Sequence, residues 1–270
     1  MRNPNFRYFS QFGEDYLLWE FFHRKSNGFY VDVGAFDGIY LSNTYSFEQK
    51  GWKGICIEPN PEMFRFCLEN RPQDLCLNLA CIGNPQLKEV NIYVEDIGLL
   101  STTIKTKAKV DDIRQRYHNR GLTFTGLKEL TVKAATLNDI LAEHISSGIK
   151  KIDFISIDTE GNELDVLEGF DTKRFDTRVF VIEAHTREDE NKISELLKRK
   201  SGYRLARKLE ENLVFVKTKE DIQKMRQIEV NCIIEKQIHP LGVKYSLPRL
   251  LQGKRIRSAS LVGQDPKNRR

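Results

Sequence analysis

An α/β fold, with a mostly parallel β-sheet and helices on both faces, is the architecture that this sequence predicts. Over residues 1–217, short apolar runs typical of buried strands alternate with segments of helical periodicity. The apolar runs are nearly continuous, as in parallel strands that are covered on both faces. The last two runs lie close together and predict a hairpin, which adds one antiparallel strand.

The expected elements follow one another in a regular order. We expect strands at residues 29–33, 54–58, 75–82, 90–94, 152–157 and 179–182, and a closing hairpin of residues 203–205 and 213–216. We expect helices at residues 41–50, 61–70, 137–145 and 187–200, and one that follows the strand at 152–157 and runs to Gly169. Asn60 and Thr136 are suitable N-cap residues, and Pro61 fits the first turn of a helix.

Two segments depart from this alternation and define the expected domain organisation. Residues 1–217 form one domain with an N-terminal segment at 1–27. Residues 96–131 lack a clean period and are expected to be a long, mobile insertion. Residues 218–270 are expected to be a basic, partly disordered extension, because they contain 12 Lys/Arg and 5 Asp/Glu, a net charge of +7.

Composition argues against several classes of protein. No apolar run approaches the roughly 18 residues of a membrane span, and the N-terminus lacks a secretory pattern. The five cysteines form no CxxC pair, which argues against a disulfide framework and favours a cytoplasmic protein. The basic extension is a candidate for contact with an anionic surface. It has Tyr245 as its one aromatic residue, so nucleic acid is a less favoured partner.

Polar residues at the carboxyl ends of the strands are the first candidates for a ligand site, because open parallel sheets bind ligands there. Asp32, Gly34 and Gly38 form a D-x-G-x-x-x-G segment after the first strand. Glu58 ends the second strand, where a carboxylate can accept hydrogen bonds from both hydroxyls of a ribose. Each feature alone also fits an ordinary turn. Together they indicate a nucleoside-bearing ligand.

Two further polar clusters follow the strands at residues 152–157 and 179–182. Asp158 or Thr159 would serve as an N-cap, which is a purely structural role. Carboxylates at this place also suit an amino group, a metal or a hydroxyl proton. His185 titrates near neutral pH and is the candidate general base, with Asp158 or Glu160 as alternatives. A divalent cation held by these residues and Glu183 is a less favoured alternative, and no metal is predicted.

Four segments in combination resemble the FkbM family of S-adenosylmethionine-dependent methyltransferases. They lie at residues 10–15 (SQFGED), 31–38 (VDVGAFDG), 57–60 (IEPN) and 157–169 (IDTEGNELDVLEG). The resemblance covers about residues 8–217. It implies a Rossmann-like methyltransferase fold, with a seven-stranded, mostly parallel sheet and a reversed last strand. It also implies O-methylation of a hydroxyl on a sugar, glycan or polyketide-like small molecule, with S-adenosyl-L-methionine as cofactor.

The resemblance also implies roles for individual residues. Asp32 and Gly34 line the methionine end of the cofactor, Glu58 holds the ribose, and Asp158 lies near the transferred methyl. Ser10 and Gln11 fold over the cofactor's carboxylate. The full cofactor-binding set is then Gln11, Asp32, Gly34, Gly38, Asn43, Glu58, Ala80 and Asp158. The catalytic set, which comes from the chemistry of the residues and not from the resemblance, is His185, Asp158 and Glu160.

Three other functions compete with this interpretation. A non-catalytic nucleoside-binding or scaffold protein is the main alternative, and the Asp32, Glu58 and Asp158 set argues against it. A dehydrogenase is disfavoured by the missing G-x-G-x-x-G fingerprint. A nucleic-acid methyltransferase is disfavoured because the chain has no Asn/Asp-Pro-Pro-aromatic motif.

Overall fold

We analysed a computed structural model of the 270-residue chain. The structure describes residues 7–119, 121–145 and 151–235, and positions 237 and 239. The prediction of disorder near the C-terminus falls on residues 253–270, which lie outside the described residues.

The described residues contain ten strands and eight helices. The strands are β1 (Phe29–Val33), β2 (Lys53–Ile57), β3 (Leu75–Leu77), β4 (Ala80–Ile82), β5 (Glu89–Val94), β6 (Lys128–Thr136), β7 (Lys151–Ile157), β8 (Asp176–Glu183), β9 (Arg204–Leu209) and β10 (Asn212–Val216). The helices are α1 (Glu14–Phe21), α2 (Tyr45–Glu48), α3 (Pro61–Asn70), α4 (Lys107–Asn119), α5 (Leu137–His144), α6 (Glu163–Glu168), α7 (Arg187–Ser201) and α8 (Lys219–Gln227).

A seven-stranded sheet organises the molecule. Its strand order is β3-β2-β1-β7-β8-β10-β9. The strands from β3 to β8 run parallel, and β10 runs antiparallel to both of its neighbours. Large apolar clusters cover the two faces of the sheet, so its central strands are buried on both sides. The predicted Rossmann-like methyltransferase fold with a reversed last strand is confirmed.

The single strand predicted at residues 75–82 is wrong, because the structure divides it in two. β3 lies at the edge of the large sheet, whereas β4 pairs with β6 in a separate sheet of order β4-β6-β5. Asn78 lies at the break, and its side-chain amide donates to the carbonyls of Glu58 and Pro59. These bonds hold the chain beside the end of β2.

Residues 96–131, predicted to be a long, mobile insertion, include regular secondary structure that the sequence did not predict. This segment contains the 13-residue helix α4 and the start of β6. Ile113 and Tyr117, one helical turn apart, pack with Ile97 and Leu100 in a separate apolar cluster. Few of the helix positions are buried, which is why the sequence shows no clear amphipathic period.

The helix predicted at residues 41–50 is much shorter, since only Tyr45–Glu48 is helical. Leu41 has φ 57°, outside the helical region. The hydroxyl of Ser42 accepts hydrogen bonds from the backbone N–H groups of Thr44 and Tyr45. This local turn therefore takes the place of the first helical turn.

The core continues beyond residue 217. α8 packs on β9, and Val230, Cys232 and Ile234 are buried in the same cluster as α1. Tyr8 and Ile234 form a parallel bridge. The boundary that the sequence predicts at residue 217 thus divides residues that pack in one core.

No helix among the described residues is long and apolar enough to cross a membrane. All five cysteines are buried and unpaired by disulfides.

Candidate active site

A cleft opens at the carboxyl ends of β1, β2 and β7. Many of the predicted site residues line it: Gln11, Asp32, Gly34, Asn43, Glu58, Ala80, Asp158 and Glu160. Residues 98–103 and Arg116 of α4 also line it. Parallel strands bring residues that are distant in sequence to one edge of the sheet, and this edge is where such folds bind ligands.

Gly34 is required by the close passage of two loops. Its φ is 87°, and a Cβ atom at this position would lie 1.7 Å from the carbonyl oxygen of Asp158. Only glycine permits both the left-handed backbone and this contact. Gly34 therefore allows the loops after β1 and β7 to meet at the floor of the cleft.

Gly38, in contrast, lies outside the lining of the cleft, although the sequence predicts that it binds cofactor. Its carbonyl oxygen accepts a hydrogen bond of 2.7 Å from Nη1 of Arg71. A Cβ atom here would approach Cγ of Arg71 to 2.7 Å. In this structure the need for glycine comes from packing against an arginine.

Glu58 fits the predicted ribose-binding role. Its Oε2 accepts from the N–H of Phe36 and its Oε1 from the N–H of Asn60, both at 2.8 Å. Each oxygen keeps a second lone pair that can accept a hydroxyl. Burial raises the pKa of Glu58 to about 7, although the two N–H groups act in the opposite direction. Two further donors would offset the cost of this buried charge.

The N-terminal segment is fixed by its own buried polar groups. Ser10 donates to Oδ1 of Asp15 at 2.6 Å, and Ser46 of α2 donates to Oδ2 at 2.5 Å. Glu14 accepts from Asn212 of β10 at 2.9 Å. The hydroxyl of Ser10 is therefore bonded to the start of α1, while the neighbouring Gln11 lines the cleft.

His185 lies among carboxylates, behind the cleft lining. Its Nε2 is 3.1 Å from Oε2 of Glu183 and 3.3 Å from Oε2 of Glu160, and its Nδ1 is 3.8 Å from Glu211. Burial acts in the opposite direction, but the two nearer carboxylates raise the pKa of His185 to about 11. The imidazole is consequently a cation at neutral pH. Its predicted role as a general base conflicts with this geometry, because a base must be unprotonated to accept a proton.

Three cationic side chains contact Glu160. Its Oε2 lies 3.3 Å from Lys109 and 3.5 Å from Arg116, both on α4, in addition to His185. Despite burial, these charges lower the pKa of Glu160 to about 2. Its φ of 54° is a left-handed conformation that is uncommon outside glycine and is often found at functional sites. Glu160 is thus a fixed anion and a poor proton acceptor.

Asp158 is the remaining member of the predicted catalytic set. Burial, followed by the charges of Glu183 and Glu160, raises its pKa well above the usual range. The pKa of Glu183 is raised for the same reasons. Neighbouring carboxyl groups of this kind hold a proton more tightly than isolated ones. Asp158 lines the cleft, so it is better suited than His185 to accept a proton there.

The acidic residues do not fit a divalent cation well. Ligand atoms of Glu160, Glu183 and His185 lie within 4.8 Å of one another, as do those of Asp158, Glu163 and Glu183. Cationic side chains already surround Glu160. Oε1 of Glu163 accepts three hydrogen bonds from the segment 159–161. A cation would have to displace these donors, so we derive no step through a metal.

Among the polar residues of the cleft that sequence reasoning missed are Arg116, Ser156 and Glu211. Ser156 was detectable, because it is a polar residue near the end of a strand that is otherwise apolar. It accepts a hydrogen bond of 3.0 Å from Asn43 and holds that side chain at the cleft. Nothing in the sequence marks Arg116 or Glu211, because only tertiary packing brings α4 and the β9–β10 turn to this site.

The fold and this cleft define a class of protein, the Rossmann-like methyltransferases. The Methyltransferase FkbM domain matches residues 32–229, and the chain belongs to this family. Its sequence is similar to Methyltransferase sdnD from Sordaria araneosa, with 28% identity over 170 residues, 56% of this chain and 63% of that protein. The chain thus spans less than two thirds of that relative's length.

Solved structures with a similar fold include two methyltransferase domains. The METTL16 MTase domain has 12% identity and a TM-score of 0.43, covering 76% of this chain and 65% of that one. A human methyltransferase 10 domain containing protein has 10% identity and a TM-score of 0.43, covering 77% of this chain and 82% of that one.

Proposed function

We propose that the protein is an S-adenosylmethionine-dependent O-methyltransferase whose acceptor is a hydroxyl of a sugar, glycan or polyketide-like small molecule. The observation that carries this proposal is the convergence of Asp32, Glu58 and Asp158 on one cleft, at the ends of three adjacent parallel strands. Membership of the FkbM family supports it.

Each part of the cofactor would have a partner among the residues of the cleft. Glu58 would hold the ribose hydroxyls through the free lone pairs of its carboxylate. Asp32, Gln11 and Asn43 would hold the polar methionine end, and Ala80 would line the adenine. S-adenosylmethionine supplies, when bound, a methyl group that a sulfonium already activates.

The protein's own contribution is to orient an acceptor and to receive its proton. Asp158 lines the cleft, so its carboxylate, when ionised, would accept the acceptor's proton there. The anionic Glu160 and the cationic Arg116, which both line the cleft, would orient acceptor hydroxyls beside it. Carboxylate oxygens and cationic N–H groups can bind several hydroxyls at once, which favours a polyhydroxylated acceptor.

Calorimetric titration with S-adenosylhomocysteine tests the cofactor, with NAD as the control. We expect micromolar binding of the former and none of the latter. Failure to bind S-adenosylhomocysteine would refute the proposal and favour a non-catalytic role.

Incubation with methyl-labelled S-adenosylmethionine and hydroxylated small molecules tests the acceptor. Label that survives in an ether linkage supports O-methylation. Label found only on nitrogen or carbon across such a panel would contradict it.

A further inference from the structure

Arg71 is a fully buried charge that the proposed function has not used. It follows the last residue of α3, and its side chain is 0% exposed. A buried cation is costly unless its charge and its N–H donors are all matched. The hydrogen-bond partners of Arg71 therefore show which groups its charge acts on.

The guanidinium group is hydrogen-bonded at each of its nitrogens. Nε donates to Oδ2 of Asp74 at 2.9 Å, and Nη1 donates to the carbonyl of Gly38 at 2.7 Å. Nη2 donates to the hydroxyls of Tyr30 and Thr44, both at 2.8 Å. One side chain thus ties the end of α3 to β1 and to the loop that follows it.

The Thr44 contact leads to the cleft. The Thr44 hydroxyl accepts a hydrogen bond from Arg71 and donates one of 2.5 Å to Oδ2 of Asp32. A hydroxyl that accepts from a cation becomes a stronger donor. Asp32 is 5% exposed and lines the cleft. This relay, from Arg71 through the Thr44 hydroxyl to Asp32, therefore connects the charge of Arg71 to a carboxylate of the candidate site.

We propose that Arg71 is a positioning residue that acts through the Thr44 hydroxyl to hold Asp32 ionised and oriented toward the methionine end of the cofactor. This inference rests on the proposed function for the identity of the ligand. The relay itself rests only on the contacts within the chain.

The protonation of Asp32 reports on this relay. Burial raises the pKa of Asp32, and the Arg71 charge and the Thr44 hydroxyl lower it. The charges of Asp74 and Cys76 also raise the pKa of Asp32, and the charge of Asp32 in turn raises the pKa of Glu58. Loss of the Thr44 hydroxyl should raise the pKa of Asp32, so that a larger share is neutral at low pH.

Three variants test the relay. Thr44→Val keeps the shape of the side chain and removes the hydroxyl, and Thr44→Ser restores the hydroxyl. Thr136→Val is the matched control, because Thr136 is a buried threonine that caps α5 away from the cleft. It should lower the melting temperature without changing affinity. Arg71 is left intact, because its replacement would disturb several elements at once.

The first measurement uses the protein without cofactor. Carboxyl resonances of labelled aspartate, assigned with Asp32→Asn, should give a higher pKa for Asp32 in Thr44→Val and a nearly unchanged one in Thr44→Ser. An unchanged pKa in Thr44→Val would overturn the inference.

The second measurement is the affinity for S-adenosylhomocysteine at pH 6 and pH 8.5. Thr44→Val should bind about 10-fold more weakly at pH 6, with a smaller loss at pH 8.5, because a hydrogen bond to a charged group is lost. The affinity of Thr44→Ser for S-adenosylhomocysteine should stay close to that of the unmutated protein. Equal affinity of Thr44→Val and the unmutated protein would overturn the inference.

Failure of the unmutated protein to bind S-adenosylhomocysteine has a different meaning. If the unmutated protein did not bind S-adenosylhomocysteine while the pKa of Asp32 still shifted in Thr44→Val, the absence of binding would overturn the proposed function. It would also overturn the cofactor-binding role of Asp32.

Discussion

At the scale of single residues, the side chains clustered around His185 differ in their charge. Glu160, which contacts three cations, stays ionised, and His185 stays protonated. Asp158 and Glu183 have raised pKa values because each is buried near other carboxylates. Groups whose pKa values are pushed apart by their surroundings are suited to different roles in proton transfer.

Asp158→Asn should therefore impair turnover more than His185→Gln. We expect kcat to fall by about 10²–10⁴ in Asp158→Asn, the usual contribution of a general base. His185→Gln should give a smaller loss. Steady-state kinetics on an accepted hydroxyl substrate measures both variants. A larger loss in His185→Gln would restore the histidine as the base.

Glu95 gives a prediction about stability and pH. It is 3% exposed, and burial raises its pKa to about 7, although the N–H of Leu100 acts in the opposite direction. The folded protein binds this proton more tightly than the unfolded chain does. Stability from this group is therefore fully present below about pH 4.5, and it is lost as the pH rises through about 7.

Glu95→Gln should accordingly reduce the loss of stability between pH 5 and pH 8. Denaturant unfolding at both pH values, compared with the unmutated protein, measures the difference. Glu129→Gln is a suitable control, because Glu129 is an exposed glutamate. If the free energy of unfolding of Glu95→Gln changed with pH as much as that of the unmutated protein, the prediction would be contradicted.

At the scale of elements, α4 connects the segment after β5 to the candidate site. One side of the helix buries Ile113 and Tyr117, and Lys109 and Arg116 contact Glu160. Burial of an apolar side chain contributes about 1.5–3 kcal/mol. The apolar contacts therefore hold the two cations against Glu160.

Ile113→Ala should lower the free energy of unfolding by about 2–5 kcal/mol, because it leaves a cavity under α4. Arg114→Ala, on the exposed side of the same helix, should change it by less than about 0.5 kcal/mol. Chemical denaturation measures both. Equal, small effects would mean that the helix does not pack as described.

At the scale of the whole molecule, the two ends of the described chain pack together. Residues 230–234 cover the turn at Gly13, and Gln237 bonds both the N–H of Leu41 and the carbonyl of Phe9. His239 packs on the rings of Phe36 and Tyr40, which line the cleft. The C-terminal segment thus supports the wall of the candidate site.

A chain ending at residue 217 should not fold stably. It would lose the buried side chains of Met225, Val230, Cys232 and Ile234, together worth about 6 kcal/mol or more. A chain ending at residue 240 keeps these contacts and is expected to melt close to the full chain. Thermal unfolding of the two truncations decides the matter. Equal melting temperatures would contradict this account of the core.

The sequence determined much of the fold because the signals involved are local. Continuous apolar strands, the caps at Asn60 and Thr136 and the final hairpin sufficed to predict a parallel sheet with one reversed strand. Residues directly after strands, such as Asp32 and Glu58, could be placed at the cleft, because parallel topology brings those ends together.

Only the tertiary structure decided which groups carry charge and which residues support them. The sequence alone suggests that His185 is a neutral base, but Glu160, from the loop after β7, and the nearby Glu183 hold it as a cation. Arg71 carries no sequence signal, and its link to Asp32 depends on β1, the following loop and the end of α3 meeting in space. Ionisation and hydrogen bonding depend on distance and burial, and these are set by packing between distant parts of the chain.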